Sequence, residues 1–339
     1  MARTFIVDMH EGDRVDCILL ARRKKLENFR NKPGQYLSLT LGDRTGELEA
    51  KVWDNAPAIA DSFAEGALVR VRGLVESFQE RLQLRCEGVW PANLEAVDLA
   101  DFLPTSERPI PEMLGELEAV IKSVSEPNLA AFLRAVFTPE MKETFSRAPG
   151  AVRMHHAYLG GLLEHTLNVV RLLEETCRIY PALDRDLVVV GALVHDVGKL
   201  VEYRYDTTLD YSDYGRLLGH VVVGAGMVER AICEVPDFPE ELAVRLRHLV
   251  ISHHGKKDFG APVVPATAEA VALHFAEYLE SQVNQVLGKL AEARRRGPDR
   301  LWTDWDRNFD GPLFVGRQEA ADEGEDQAPA GGQQGLPGL

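Results

Sequence analysis

The hydrophobic pattern of this 339-residue chain changes period once, near residue 112, and that change limits the folds open to it. Before it, short segments alternate apolar and polar residues at a period of two, the mark of half-buried strands. QYLSLTLGD and GELEAKVWD do so, with GDRTG as the turn between them. VDCILLARRKKL, apolar and then strongly basic, precedes them. NAPAIADSFAEG reads as a short helix closed by Gly66. ALVRVRGLVESF and ERLQLRCEGVW, joined by a turn near Gln79 and Glu80, complete the series. After residue 112, segments from MLGELEAVIKSV to ATAEAVALHFAEYLESQVNQVLGKLAEARRR carry apolar stripes at helical spacing.

Five strands with a helix between the third and fourth is the order of an OB-fold, a small barrel that often binds oligonucleotides. The expected fold is therefore multidomain, an N-terminal all-β OB-fold barrel followed by an all-α helical bundle. The expected divisions are a barrel at 1–93, a linker rich in Pro and acids at 94–111, a helical domain at 112–317, and a low-complexity, disordered tail at 318–339.

The net charge of −15 argues against a nucleic-acid partner, but it is unevenly spread. Residues 1–93 hold fourteen Lys/Arg and fourteen Asp/Glu, and the tail from Gln318 carries five acids and no base. A neutral first domain can still present a basic groove, and an acidic second domain can hold divalent cations. In the first domain, Arg22, Arg23, Lys24 and Lys25 are the best phosphate track. Phe29, Tyr36, Trp53 and Phe78 are candidates for stacking on bases. For Tyr36 or Trp53 taken alone, barrel core is the stronger reading. No apolar run is long enough to span a membrane, and the N-terminus does not resemble a signal peptide. Four scattered cysteines without CxxC argue against a zinc ribbon or disulfide framework, so a cytoplasmic protein is expected.

Nine of the ten histidines lie between positions 155 and 274. Imidazole and carboxylate together suit transition metals better than all-oxygen sites do. His195 and Asp196, in GALVHDVGKL, close an apolar helix, with Gly198 as its stop. A charged Asp among Val, Leu and Ala needs a partner, which a metal would supply. Alone, such a dipeptide would more often be a cap and a core histidine. Its surroundings change that judgement. His165 lies on a helix upstream, His220 opens GHVVVGAGMV, and His253 and His254 close RLRHLVISHHG. A last long helix carries His274, Glu277 and Glu280.

This ordered series resembles the HD superfamily of metal-dependent phosphohydrolases, and its His-His pair resembles the two-metal members. HHAYLGGLLEHT, HDVGK, LLGH and SHHG behind an OB-like domain are closer still to the YhaM family of 3′→5′ exoribonucleases, over residues from about 13 to 310. The resemblance implies an HD-domain bundle with two divalent ions. One would be held by His165, His195, Asp196 and Glu277, the other by Asp196, His220, His253 and His254; a one-metal version keeps only the first set. Manganese is the first choice, with iron, nickel, cobalt and magnesium as alternatives. The family's xDxxD pattern is replaced here by AEYLES, so Glu277 and Glu280 stand for aspartates. Lys199 would hold the scissile phosphate, against a solvated helix-end lysine. His155 and His156 would contact substrate or protonate the leaving group, against a structural role. His248 and His274 read as ordinary histidines. The implied activity is release of nucleoside monophosphates from single-stranded RNA, with single-stranded DNA as a further substrate, by a homo-oligomer. The alternatives are an HD phosphohydrolase of small nucleotides or cyclic dinucleotides, and a single-strand-binding protein without catalysis.

Overall fold

Five strands, β1 (Arg14–Asn28), β2 (Gln35–Gly42), β3 (Glu47–Val52), β4 (Leu68–Phe78) and β5 (Arg81–Pro91), close into a barrel in the order β1-β2-β3-β5-β4. This computed structural model describes residues 4–317 except 30, 80, 94–96, 153–154, 206–208 and 298–299; the expected tail lies outside them. All neighbours are antiparallel except β3 and β5. The period of two drives closure: Leu37, Leu39 and Leu41 point inward with Ala50, Val69, Val71 and Leu84, none more than 1% exposed. The ladder slips at Arg72/Gly73, where a Cβ on Gly73 would lie 2.3 Å from the Arg85 carbonyl oxygen. Only glycine lets the two strands approach this closely as the sheet bends. A short helix, α1 (Ala56–Asp61), sits between β3 and β4, as the OB order requires.

The segment after the barrel is anchored by packing. Phe102 and Leu103 bury themselves with Leu20 and Leu68 of the barrel and with Leu159. Arg22, at a slip in the β1 ladder, donates to the carbonyls of Asp43 and Phe102.

Helices follow: α2 (Ile110–Ser123), α3 (Pro127–Val136), α4 (Pro139–Arg147), α5 (Gly161–Ile179), α6 (Arg185–Val194), the single turn α7 (Lys199–Glu202), α8 (Asp213–Cys233), α9 (Glu240–Ser252) and α10 (Ala268–Arg296). A two-stranded ribbon, Tyr203–Tyr205 with Leu209–Tyr211, separates α7 from α8. Helix α6 is the hub. Every residue from Asp186 to Val194 is buried, because α3, α5 and α9 all pack on it. Gly191 permits the closest crossing, since a Cβ there would meet Leu249 at 2.4 Å. Asp186 accepts from the Ser125 amide and hydroxyl and from the Glu126 amide, tying the start of the hub to the α2–α3 turn. Among the described residues, no helix is long and apolar enough to cross a membrane.

The chain divides into two compact units, 1–284 and 285–339. In the second, the end of α10 is followed by a hairpin-like loop with bridges at Trp302–Phe314 and Asp306–Gly311.

Candidate metal centre

The hub helix delivers His195 and Asp196 to the interior, at 0% and 3% exposure. Gly198 does not stop the helix as expected. Its φ of −63° is ordinary right-handed backbone. It is glycine because a Cβ would sit 2.0 Å from the His220 carbonyl oxygen, so α7 can press against α8. Gly219, at φ 71°, kinks α8 just before His220 and turns that residue into the site.

Asp196 lies between two groups of histidines. Its Oδ2 is 3.2 Å from His195 Nε2 and 3.5 Å from His165 Nε2. Its Oδ1 is 3.5 Å from His220 Nε2 and 3.7 Å from His253 Nε2. His254 joins the second group, with its Nε2 2.9 Å from that of His220. In the first group the Nε2 atoms of His165 and His195 are 3.2 Å apart. Each carboxylate oxygen thus faces its own cluster of nitrogens.

The outer nitrogens define the chemistry of the inner ones. His195 Nδ1 donates to the Ala192 carbonyl at 2.7 Å, and His253 Nδ1 to that of Val250 at 2.6 Å. His165 Nδ1 meets Glu280 Oε2 at 2.6 Å, and His220 Nδ1 lies 3.0 Å from Glu202 Oε2. An acceptor opposite Nδ1 calls for the proton there, which leaves a lone pair on Nε2. Lone pairs and a carboxylate converging in a dry interior repel one another unless a cation lies among them. Asp196 Oδ1 and His253 Nε2 are buried without any hydrogen-bond partner. The donor set therefore fits a divalent metal centre, with Asp196 able to serve both clusters.

Electrostatics agree. Burial pushes the Asp196 carboxyl up, but Lys199 and His195 outweigh it and hold the group well below the usual carboxylate range. Burial holds His253 neutral and lowers His165 and His254 to about 4. His195 differs. There burial is outweighed by the Asp196 charge, so a proton competes with a metal for its Nε2. Burial, followed by the charge on Asp196, raises Glu277 to about 7.

Lys199 donates to Asp196 Oδ2 at 2.7 Å and is 7% exposed, so it is part of the interior and not a solvated helix end. Glu280 lies behind His165. It accepts from Asn168 at 3.0 Å and meets His156 Nε2 at 2.7 Å. His156 is thus held within this network of buried groups. It is 1% exposed, and its other nitrogen is bonded to the Tyr158 hydroxyl at 2.7 Å. His155 remains partly open, with its ring 5.7 Å from that of His165. Burial and the Lys199 charge bring it down to about 3. His248 accepts from the Ala266 amide, and His274 donates to the His253 carbonyl; both support the chain around the site.

Glu202, Asn168 and Tyr158 were not singled out by sequence. Glu202 had one available signal, a carboxylate in the apolar turn KLVE just after the HD pair. It is 6% exposed and accepts from the His220 amide at 3.0 Å.

On the barrel, Tyr36 and Trp53 lie outside the core, against the expectation for either residue alone. Trp53 is 43% exposed and Tyr36 is half-buried. Their rings are 5.0 Å apart, and Phe29 joins them at 5.6 and 6.0 Å. Lys51 lies over Tyr36 and Lys32 over Phe29. Phe78, 62% exposed, ends β4. The basic run splits by strand alternation. Arg22 and Lys24 are engaged with backbone carbonyls, those of Ala60 and Phe63 in the case of Lys24. Arg23 and Lys25 are exposed, and Lys25 also pairs with Glu27.

Comparison with known proteins agrees with this architecture. The HD domain family matches residues 162–282, and an OB-fold nucleic acid binding domain family matches residues 21–92. The 3′-5′ exoribonuclease YhaM of Bacillus subtilis (strain 168) is 31% identical over 310 residues, covering 90% of this chain and 98% of that protein. The chain belongs to the YhaM family. YhaM of Geobacillus sp. (strain WCH70) is 29% identical over 311 residues, covering 91% and 95% of the two chains. A domain of replication protein A from Methanococcus maripaludis aligns with 27% of this chain and 97% of its own, at 18% identity and a TM-score of 0.24.

Because Glu280 orients His165 without facing Asp196, Glu280→Gln should weaken metal binding without removing it. The expected loss is about 10- to 100-fold in metal affinity. Calorimetric titration of the metal-free protein measures it, and unchanged affinity would show that the Glu280–His165 contact does not serve metal binding.

Proposed function

We propose that this YhaM-family member is a metal-dependent hydrolase that removes nucleoside monophosphates from the 3′ end of single-stranded RNA, with single-stranded DNA as a further substrate. One observation carries the reading: a single buried carboxylate, Asp196, faces a histidine cluster with each of its oxygens. In this reading His165, His195, Asp196 and Glu277 hold one divalent ion. Asp196, His220, His253 and His254 hold the other, with manganese as the first choice. When bound, the ions supply Lewis acidity and lower the pKa of a water molecule for attack on phosphorus.

The chain's own residues do the rest. Lys199 is placed to exchange its contact with Asp196 for one with a phosphate oxygen, as a mobile point charge. His155, the open member of the histidine pair, faces the substrate. Glu202 and Glu280 keep His220 and His165 turned toward the centre. The aromatic group Phe29, Tyr36 and Trp53, with Lys51 and the exposed Arg23 and Lys25, receives the strand by stacking and charge. All four cysteines are free, which suits a cytoplasmic protein. Val271, Phe275 and Leu279 form an exposed apolar stripe on α10 that suits burial against a second copy.

Glu277 tests the ligand set. It lies close enough to Asp196 and His195 for their charges to be felt, whereas Glu280 is already committed to His165, His156 and Asn168. Glu277→Ala should lower bound metal and the rate on labelled RNA, and Glu277→Asp should keep both. If the Ala variant matches the parent in both, Glu277 is not a ligand.

A further inference from the structure

The second unit of the chain carries a surface that neither the metal centre nor the barrel explains. Residues 285–317 hold seven Lys/Arg against five Asp/Glu, within a chain whose net charge is −15. Two of the four tryptophans lie there as well. The chain doubles back between Leu301 and Val315. The Thr303 amide donates to the Leu313 carbonyl at 2.9 Å and the Val315 amide to that of Leu301 at 2.8 Å. Arg294 donates to the Val315 carbonyl at 3.3 Å, fixing the loop to the end of α10.

This pairing sets Trp302 opposite Phe314, with ring centroids 5.0 Å apart. Both rings face outward, at 53% and 59% exposure, and Trp305 is 66% exposed. So much aromatic surface left in water calls for a partner. Cations accompany it. Lys289 pairs with Asp306, and Arg296 and Arg300 with Asp304. Among the described residues, Arg295, Arg307 and Arg317 have no acidic partner.

The chemistry of the partner follows from this mixture. A protein interface core gathers apolar side chains and is depleted of Lys, Asp and Glu, although it admits arginine. Here Trp302 pairs with Phe314, Trp305 stands beyond Thr303 and Asp304, and Arg296 and Arg300 meet Asp304 between the two tryptophans, so charge interrupts the aromatic surface. A single strand of nucleic acid offers the complement, with bases to stack and phosphates to neutralise. We propose that the Leu301–Val315 loop is a second contact for single-stranded nucleic acid. Trp302, Trp305 and Phe314 stack on bases, and the unpaired arginines of the same unit meet phosphates. The proposal rests on the reading of this chain as a nuclease for single strands.

The test uses the full chain carrying Trp302→Ala and Trp305→Ala, in chelator to prevent cleavage. Its probes are fluorescent oligoadenylates of about 8 and about 24 nucleotides, the longer exceeding what one OB barrel covers. The longer strand should bind about tenfold more weakly than to the parent, and the shorter one equally well. Trp302→Phe with Trp305→Phe should restore binding, because a phenyl ring still stacks. Arg295→Gln with Arg307→Gln should flatten the salt dependence for the longer strand. Equal binding of the longer strand by parent and alanine variant would overturn the proposal, as would failure of the phenylalanine variant to restore it. A change in oligomeric mass with strand binding unchanged would overturn it in favour of a contact between copies. If the parent itself neither binds nor degrades single strands, the nuclease reading fails; if it does both and only the loop variants behave like the parent, this proposal alone fails.

Discussion

Asp196→Ala is expected to abolish phosphodiester hydrolysis, with a loss of about a thousandfold or more. The size follows from position. The two oxygens of Asp196 face the two histidine clusters, and removing it takes a donor from each at once. It also strips Lys199, which is buried, of its carboxylate partner. The protein should nevertheless remain folded, because the hub helix is held by Leu187, Val188, Val189 and Val190 and not by the site. Binding of single strands should persist, since the barrel face lies on other elements. Rate on labelled RNA, bound metal and strand affinity measure the three parts. A folded variant with parental turnover would remove Asp196 from the centre.

Replacing Trp53 and Tyr36 together by alanine is expected to weaken single-strand binding by about a hundredfold. The two rings stand side by side on the outer face, and Phe29 extends the platform. The loss should appear in KM for long RNA and leave kcat on a small phosphodiester unchanged, because the substitutions lie outside the barrel core. Point variants are the better probe here. Removal of the whole barrel would expose Phe102, Leu103 and Leu159, which it covers through Leu20 and Leu68. Unchanged KM in the double variant would mean that the strand is held elsewhere.

Much of this architecture was legible in the sequence, for identifiable reasons. Alternation and helical stripes report which face of an element is buried, and burial is what folding enforces, so the barrel and the helices could be read directly. The order of the histidines survived translation into space because each sits at or near a helix end: His195 after α6, His220 after the α8 kink, and His253 after α9. The alternation held more than was read from it. Tyr36 is out of phase with Leu37, Leu39 and Leu41, and Trp53 with Leu48, Ala50 and Val52, so both belong outside. The same phase separates Arg23 and Lys25 from Arg22 and Lys24. What sequence could not supply were contacts across long separations. Glu280 meets His165 across 115 positions and His156 across 124. Nothing local marks it as the group behind His165. Gly198 misled for a similar reason, since its small size answers to α8 and not to its own helix.

Asp196 is proposed to serve two metal ions at once, and anomalous diffraction from crystals of the protein grown with manganese can decide it. Two peaks are predicted, one between His165 and His195 and the other among His220, His253 and His254, with the Asp196 carboxylate between them. A single peak at one cluster, or two peaks neither of which touches Asp196, would contradict it.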